Sequence, residues 1–510
     1  MEKKKLLYIA ISSVLILTGC DDFLDVMPDN RAELDTVDKI TALLVSAYSE
    51  ATDVLMVESA SDNVMDNGAK FSYRQEQSQS YLWQDITAVG NDSPQTFWNG
   101  CYMAIASANH VLAAIDRMGN TANLQAQRGE ALMCRAYGHF ALANMFCLPY
   151  NPATADRDMG IPYADAPETM VAPKYERGTM EELYKKINAD IEEGLPLIDD
   201  NIYKVPKYHF NKKAAHAFAA RFNLYYHNYE KVTDYADVVL GSSPDKMVRN
   251  WGAIDAVSSQ RETAVNLYFS ASEPANLLIM PTYSIWAYYG GATTLGLRYS
   301  HARAIAVRET VSAIATAMWS NSNFYPYRSS WNVGDERTFV NKVGTYFEYT
   351  DKVQAIGYVR TLFANFNADE TLLCRAEAYA LQNKLDEAVA DINIWLRSHV
   401  ATANPTRSRT QIVNFYNDLT YGEIKKVLNP RGFTVAVGEQ ENIIHCILHL
   451  RRIETLHDGL RWQDIKRYGI EISHNREGQT AIELKVDDPR RAMQLPQDVI
   501  NAGLPANPRN

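Results

Sequence analysis

Three groups of aromatic residues lie in polar, turn-rich stretches where no helix needs them for packing. Tyr81 and Trp83 fall within residues 72–95. Tyr283, Trp286, Tyr288 and Tyr289 precede a Gly290-Gly291 turn, and Trp319, Phe324, Tyr325, Tyr327 and Trp331 sit among Asn and Ser. Flat apolar rings stack on the C–H faces of sugars, and neighbouring amides and carboxylates take the hydroxyls, so this pattern points to carbohydrate binding. Each ring taken alone is better explained by burial in a loop-packed core. As a set, at least one is expected to reach ligand, with Trp83, Trp286 and Trp319 foremost. Trp98, Trp395 and Trp462 fall on helical apolar spacing and read as scaffold.

Other chemistry-bearing residues give weaker signals. Asp62-Asn63, with Asp66-Asn67 and Glu58 nearby, could accept sugar hydroxyls or ligate Ca²⁺, but they lack the dense alternation of a calcium loop. His445 and His449 are one helical turn apart, as metal ligands often are. Their flanks (Ile443, Ile444, Ile447, Leu448) describe a buried helix, and no third ligand lies close by. No His-Glu-x-x-His, Gly-x-Ser-x-Gly, phosphate-cradling loop or dinucleotide fingerprint occurs. The expectation is a protein without a cofactor and without catalysis. A glycosidase, which needs only two carboxylates brought together by the fold, stays open on sequence grounds.

The chain that positions these residues has 510 residues and a net charge of −11, which argues against nucleic acid as partner. It opens on Lys3-Lys4-Lys5 and an apolar run from Leu6 to Leu17. Twelve helical residues cover about 18 Å, too little for a hydrocarbon core of about 30 Å, so residues 1–19 read as a secretory signal. Leu17-Thr18-Gly19-Cys20 resembles a bacterial lipobox, making Cys20 the expected lipid attachment point; residues 20–32 read as an acidic tether. The other five cysteines are an odd number and sparse, which argues against a disulfide scaffold.

Residues 33–510 read as a single mostly α domain, with helix pairs near 36–146, 179–240, 368–399 and 441–468. A helix start is expected at Asp35, and Thr179…Glu182 matches a capping box. Strand signals are sparse: 345–349 and 482–486. The stretches near 55–95 and 241–350 are loop-rich and form the expected ligand face. A Cys-Arg-Ala core recurs at 134–136 and 374–376. Ala376, Tyr379, Leu385, Ala388, Ile392 and Trp395 follow tetratricopeptide spacing, repeated more weakly by Ala220, Tyr229, Val232, Ala236 and Val239. Such pairs cannot bury their own apolar faces, so several must stack.

Together these features resemble the SusD/RagB-like outer-membrane lipoproteins of Bacteroidetes. The resemblance rests on Cys20-Asp-Asp-Phe-Leu-Asp25, Trp98…Tyr102…Asn109, Asp369-Glu-Thr-Leu-Leu-Cys-Arg-Ala-Glu-Ala-Tyr379, Arg451-Arg-Ile-Glu454…Gly459-Leu-Arg-Trp462 and Asn507-Pro-Arg-Asn510. His457-Asp458, Cys134 and Cys374 depart from the usual pattern. The resemblance implies a tetratricopeptide-like scaffold of about four helix pairs under a loop-rich ligand face. It also implies a lipoprotein of the outer-membrane surface that captures oligosaccharide and serves a SusC-like TonB-dependent transporter, with peptide capture known for some relatives. A pure assembly scaffold is the remaining rival.

Overall fold

The computed structural model describes residues 34–170, 174–289, 296–311, 318–319, 323–333 and 336–509. The signal, Cys20 and the tether lie outside them. Among the described residues, no helix is long and apolar enough to cross a membrane.

Helices dominate, and they start where the sequence supplies caps. The first described helix begins at Val37, with its cap one residue later than expected: Thr36 caps it by accepting from Lys39 N, while Asp35 pairs with the Lys39 side chain at 2.7 Å. Long helices α1 (Pro94–Arg117) and α2 (Gln125–Phe146) form the first antiparallel pair, and α3 (Met180–Gly194) packs on α2. Thr179 and Glu182 form the expected capping box at the start of α3. The contact between α2 and α3 is close because Gly129 and Gly194 face one another. A Cβ on Gly129 would stand 2.9 Å from Gly194 O, so any larger residue would push the helices apart.

The pairs α4 (Lys212–Tyr225) with α5 (Tyr229–Leu240), and α6 (Ala368–Leu381) with α7 (Leu385–His399), follow. They are joined by α6 packing on α5, and α8 (Glu439–Glu454) lies against α6. Ala376, Ala388, Ile392 and Trp395 are buried between helices, as the tetratricopeptide spacing requires. The protein is mostly α with a tetratricopeptide-like scaffold. The Cys-Arg-Ala repeat has a structural counterpart. Arg135 grips Asp190 of α3 with two prongs (2.7 and 2.6 Å), and Arg375 grips Asp391 of α7 the same way (2.9 and 2.6 Å).

The expected loop region holds more strand than its sequence suggested. β1 (Asn276–Thr282), β2 (Gly344–Asp351) and β3 (Ile356–Asn367) form an antiparallel sheet with β3 in the middle, in register Met280↔Phe363 and Tyr346↔Arg360. A second hairpin, β4 (Ile472–Arg476) with β5 (Gln479–Leu484), lies near the C-terminal end.

The core contains ions as well as hydrocarbon. Arg221 of α4 pairs with Glu370 of α6 at 3.1 Å. Arg451 of α8 reaches Asp464 at 3.1 Å, Glu370 at 3.4 Å and Glu377 at 3.5 Å, and Arg467 bonds Glu377 and Asp464. Three guanidiniums meet three carboxylates, all buried, so the charges balance. Cys101, Cys134, Cys147, Cys374 and Cys446 are free and buried.

Arg451→Met should leave three buried carboxylates facing only two guanidiniums, Arg221 and Arg467, and lower stability by about 3–5 kcal/mol in urea unfolding. Lys231→Ala, which breaks the half-exposed pair with Glu192, should cost less than about 1 kcal/mol. Equal losses for the two would refute the account of the core.

Candidate functional site

A groove of about 800 Å³ opens on the described surface, against 100–290 Å³ for three other cavities. Its walls come from four distant stretches: Asp62–Met65, the short helix Arg303–Glu309, the loop 421–429, and the β4–β5 hairpin with its flanks to Val486. The first two belong to the expected ligand face. The other two were not foreseen.

Arg452 on α8 holds the walls together. Its Nε donates to Asn63 Oδ1 (3.0 Å), one terminal nitrogen to Asp62 O (2.7 Å) and the other to Glu309 Oε2 (2.7 Å). Arg461 adds a two-pronged grip on the Asp62 carboxylate (2.8 and 2.9 Å), and Lys426 bonds Glu309 at 3.1 Å. Burial opposes charge on Asp62, but Arg452 and Arg461 hold its carboxyl well below the usual carboxylate range. Asp62 is therefore an ionised acceptor in the groove wall, and Asn63 sits behind it as a brace.

The β4–β5 wall hangs on a column of four rings. Trp83 stacks on His474 (4.3 Å between centroids), His474 on Tyr81 (4.1 Å), and Tyr81 on Tyr299 (4.2 Å). The His474 ring nitrogens lie 2.7 Å from Tyr81 O and 2.9 Å from Ser61 O, while the Tyr81 hydroxyl bonds Asn475, whose side chain lines the groove.

This geometry corrects the foremost aromatic candidates. Trp83 is 5% exposed and donates through Nε1 to Ala60 O; Tyr81 is fully buried. Trp286 is 1% exposed and donates to His457 O, pinning the turn after α8. Trp319 is 4% exposed, between Phe324 at 4.8 Å and His449 at 5.5 Å. In this structure none of the four offers a face to a ligand. Tyr325 and Trp331 are half-buried, with Arg328 5.4 Å from the Tyr325 ring and Arg261 4.2 Å from that of Trp331. Tyr288 and Tyr289 end a short helix, and their side chains lie outside the described part. The ring that does line the groove is Tyr421, which is exposed.

Among the described residues, the oxygen donors that could suit Ca²⁺ are taken by protein partners instead. Asp66 is gripped by Arg298 (2.6 and 2.7 Å), and Glu58 accepts from His457 N, Gly459 N and the Asn63 amide. Burial pushes the Glu58 carboxyl up to about 7. His445 and His449 both border a cavity of about 10 Å³ shared with Lys426, Arg452 and Arg461, cationic company that opposes a metal ion. Asp369, His399 and Glu454 bring potential ligand atoms within 4.8 Å of one another. They lie deep in the core, where Lys342 and Arg249 already supply positive charge.

The comparisons with known proteins fit this architecture. Residues 22–224 match a SusD-like family model described as starch-binding and associating with the outer membrane. A SusD superfamily protein of Bacteroides thetaiotaomicron has TM-score 0.62 at 18% identity, over 93% of this chain and 100% of its own. One of Bacteroides fragilis has TM-score 0.62 at 17% identity, over 92% and 99%. A SusD-like carbohydrate binding protein of Bacteroides vulgatus has TM-score 0.60 at 16% identity, over 88% and 89%. No curated protein matches the sequence. The SusD-like resemblance read from the sequence agrees with both findings: residues 22–224 match the SusD-like family model, and the fold is similar to that of SusD superfamily structures.

Burial also fixes a pH dependence. It holds His139, His445 and His449 at about 3, and His227 and His301 at about 4, against an ordinary value of 6.5. The unfolded chain takes up protons at these rings near pH 6.5, and the folded chain refuses them until pH 3–4. Their contribution is complete above pH 6.5 and is lost as pH falls toward 4. Buried carboxyls such as Glu58 act in the opposite sense over the same range, so the rings are followed directly: in an NMR titration these five imidazoles should stay neutral from about pH 7.5 to about pH 5, and a ring that titrates near the ordinary value would not be buried neutral.

Proposed function

We propose that this protein is a non-catalytic surface lipoprotein that binds oligosaccharide in the groove and passes it to a SusC-like TonB-dependent transporter. The observation that carries the reading is the groove itself: open, about 800 Å³, and walled by Asp62, Arg308, Asn429, Ser473, Asn475 and the exposed ring of Tyr421. Such a volume suits a ligand of a few sugar units, and the polar walls match a molecule covered in hydroxyls. The family description and the printed name of the Bacteroides vulgatus neighbour agree with a carbohydrate ligand.

A binder that must release its cargo is best served by many modest contacts, with a dissociation constant in the micromolar range, about −8 kcal/mol. The hydrolase alternative finds little support in the groove. Asp62 and Glu309 are held by Arg452, and Asp62 is held ionised, whereas a general acid needs a raised pKa. Anchoring at the outer membrane would come from lipid on Cys20.

A glycan array followed by calorimetry on the chain beginning after Cys20 tests this reading. A micromolar oligosaccharide ligand is expected, with no cleavage product. Tyr421→Ala and Arg308→Ala should each weaken it about five- to tenfold, in line with loss of one ring or one charged hydrogen bond. Binding confined to peptides, or sugar product accumulating with time, would overturn the proposal.

A further inference from the structure

The outer half of the β2–β3 hairpin stands apart from the rest of the surface. Tyr346, Phe347, Tyr349, Val353, Ile356, Tyr358 and Val359 are all exposed within fourteen residues. Deeper in, from Thr361 onward, β3 is paired with β1 and turns into the core. Cross-strand register sorts the exposed residues. Opposite residues share a face, so Tyr346, Arg360, Glu348 and Tyr358 lie together, while Phe347, Tyr349 and Val359 lie on the reverse.

The first face is constructed rather than merely apolar. Arg360 is 5% exposed and its guanidinium lies 3.4 Å from the ring centre of Tyr283. Its Nε donates to Glu348 (2.7 Å) and one terminal nitrogen to Glu50 (2.9 Å). The other terminal nitrogen, Nη1, has no hydrogen-bond partner among the described residues. The backbone N–H of Tyr283 donates to Glu50 O at 2.8 Å, tying that loop to the sheet. Tyr358, 55% exposed, stands edge-on to Tyr283 at 5.6 Å and 85°.

One buried guanidinium thus fixes two accessible carboxylates between three tyrosine rings. Carboxylates held this way accept hydroxyl hydrogen bonds without first losing side-chain freedom, and tyrosines offer ring faces that tolerate water. An apolar protein partner would favour the reverse face, which lacks these charges.

We propose that the Tyr283–Tyr346–Tyr358 face, with Glu50, Glu348 and Arg360, is a second carbohydrate-binding platform, separate from the groove and suited to neutral polysaccharide. The inference rests on the carbohydrate reading of the protein. An open platform binds one sugar unit weakly, so its contribution is to hold a long polymer through a second point of attachment, raising retention of chains more than of short oligomers.

Affinity electrophoresis through gels containing soluble starch, xylan, galactomannan or dextran tests it. At least one polymer should retard the wild-type chain. Tyr346→Ala/Tyr358→Ala should reduce that retardation about fivefold or more, with an unchanged thermal midpoint and unchanged calorimetric affinity for the short oligosaccharide found on the array. Glu348→Gln, which keeps the fold of the hairpin, should reduce it in the same direction. If the tyrosine variant is retarded like wild type while Tyr421→Ala is not, the platform is refuted and the groove stands. If no polymer in the set retards wild type, the platform is refuted; if the array also yields no sugar ligand, the carbohydrate reading falls with it.

Discussion

Placing three guanidiniums and three carboxylates out of water is tolerable only when every one is paired. Arg221, Arg451 and Arg467 meet Glu370, Glu377 and Asp464 where α4, α6, α8 and the helix Arg461–Arg467 converge. Hydrophobic packing alone would accept small slips of one helix along another, because apolar contact has little directional preference. Charge pairing does not: a slip by one turn would leave a bare charge in the core. The network therefore sets the register of the helices on which everything else rests. The Arg135–Asp190 and Arg375–Asp391 pairs repeat the device at the margins of the stack.

From that register the site follows. Arg452 adjoins Arg451 on α8 but points toward Asp62, Asn63 and Glu309 instead of the core. One helix thus carries neighbouring arginines with different duties, one locking the scaffold and one gathering the groove walls. The turn after α8 is held by Glu58 and by the Trp286 indole, so residues from three regions of sequence fix where Arg461 stands when it takes Asp62.

The scaffold was legible in the sequence because its signals are local. Thr179 and Glu182 announce their helix within four residues, and Ala376 to Trp395 repeat a spacing. The partners of the repeated arginines were not legible, since Asp190 lies on another helix 55 residues beyond Arg135. β1 was missed because Asn276–Thr282 is a buried apolar run, which periodicity alone cannot tell from buried helix. Indoles in polar stretches invited the ligand reading, yet Trp83, Trp286 and Trp319 fill the space beneath loops. Burial there depends on contacts hundreds of residues away, as with Trp83 on His474. Tyr346, Phe347 and Tyr349 put aromatics on both faces of an edge strand, a pattern that leaves rings exposed wherever only one face of the sheet is covered.

The four-ring column has a consequence for how the molecule comes into being. Because His474 must slide between Trp83 and Tyr81, a ribosome or export channel releasing the chain from its front end delivers two of the groove's four sides long before the last one. Until the final few dozen residues emerge, the imidazole that joins Trp83 to Tyr81 is missing and the groove lacks its last wall. The hollow is thus the last part of the molecule to be completed, and it closes in a single docking step.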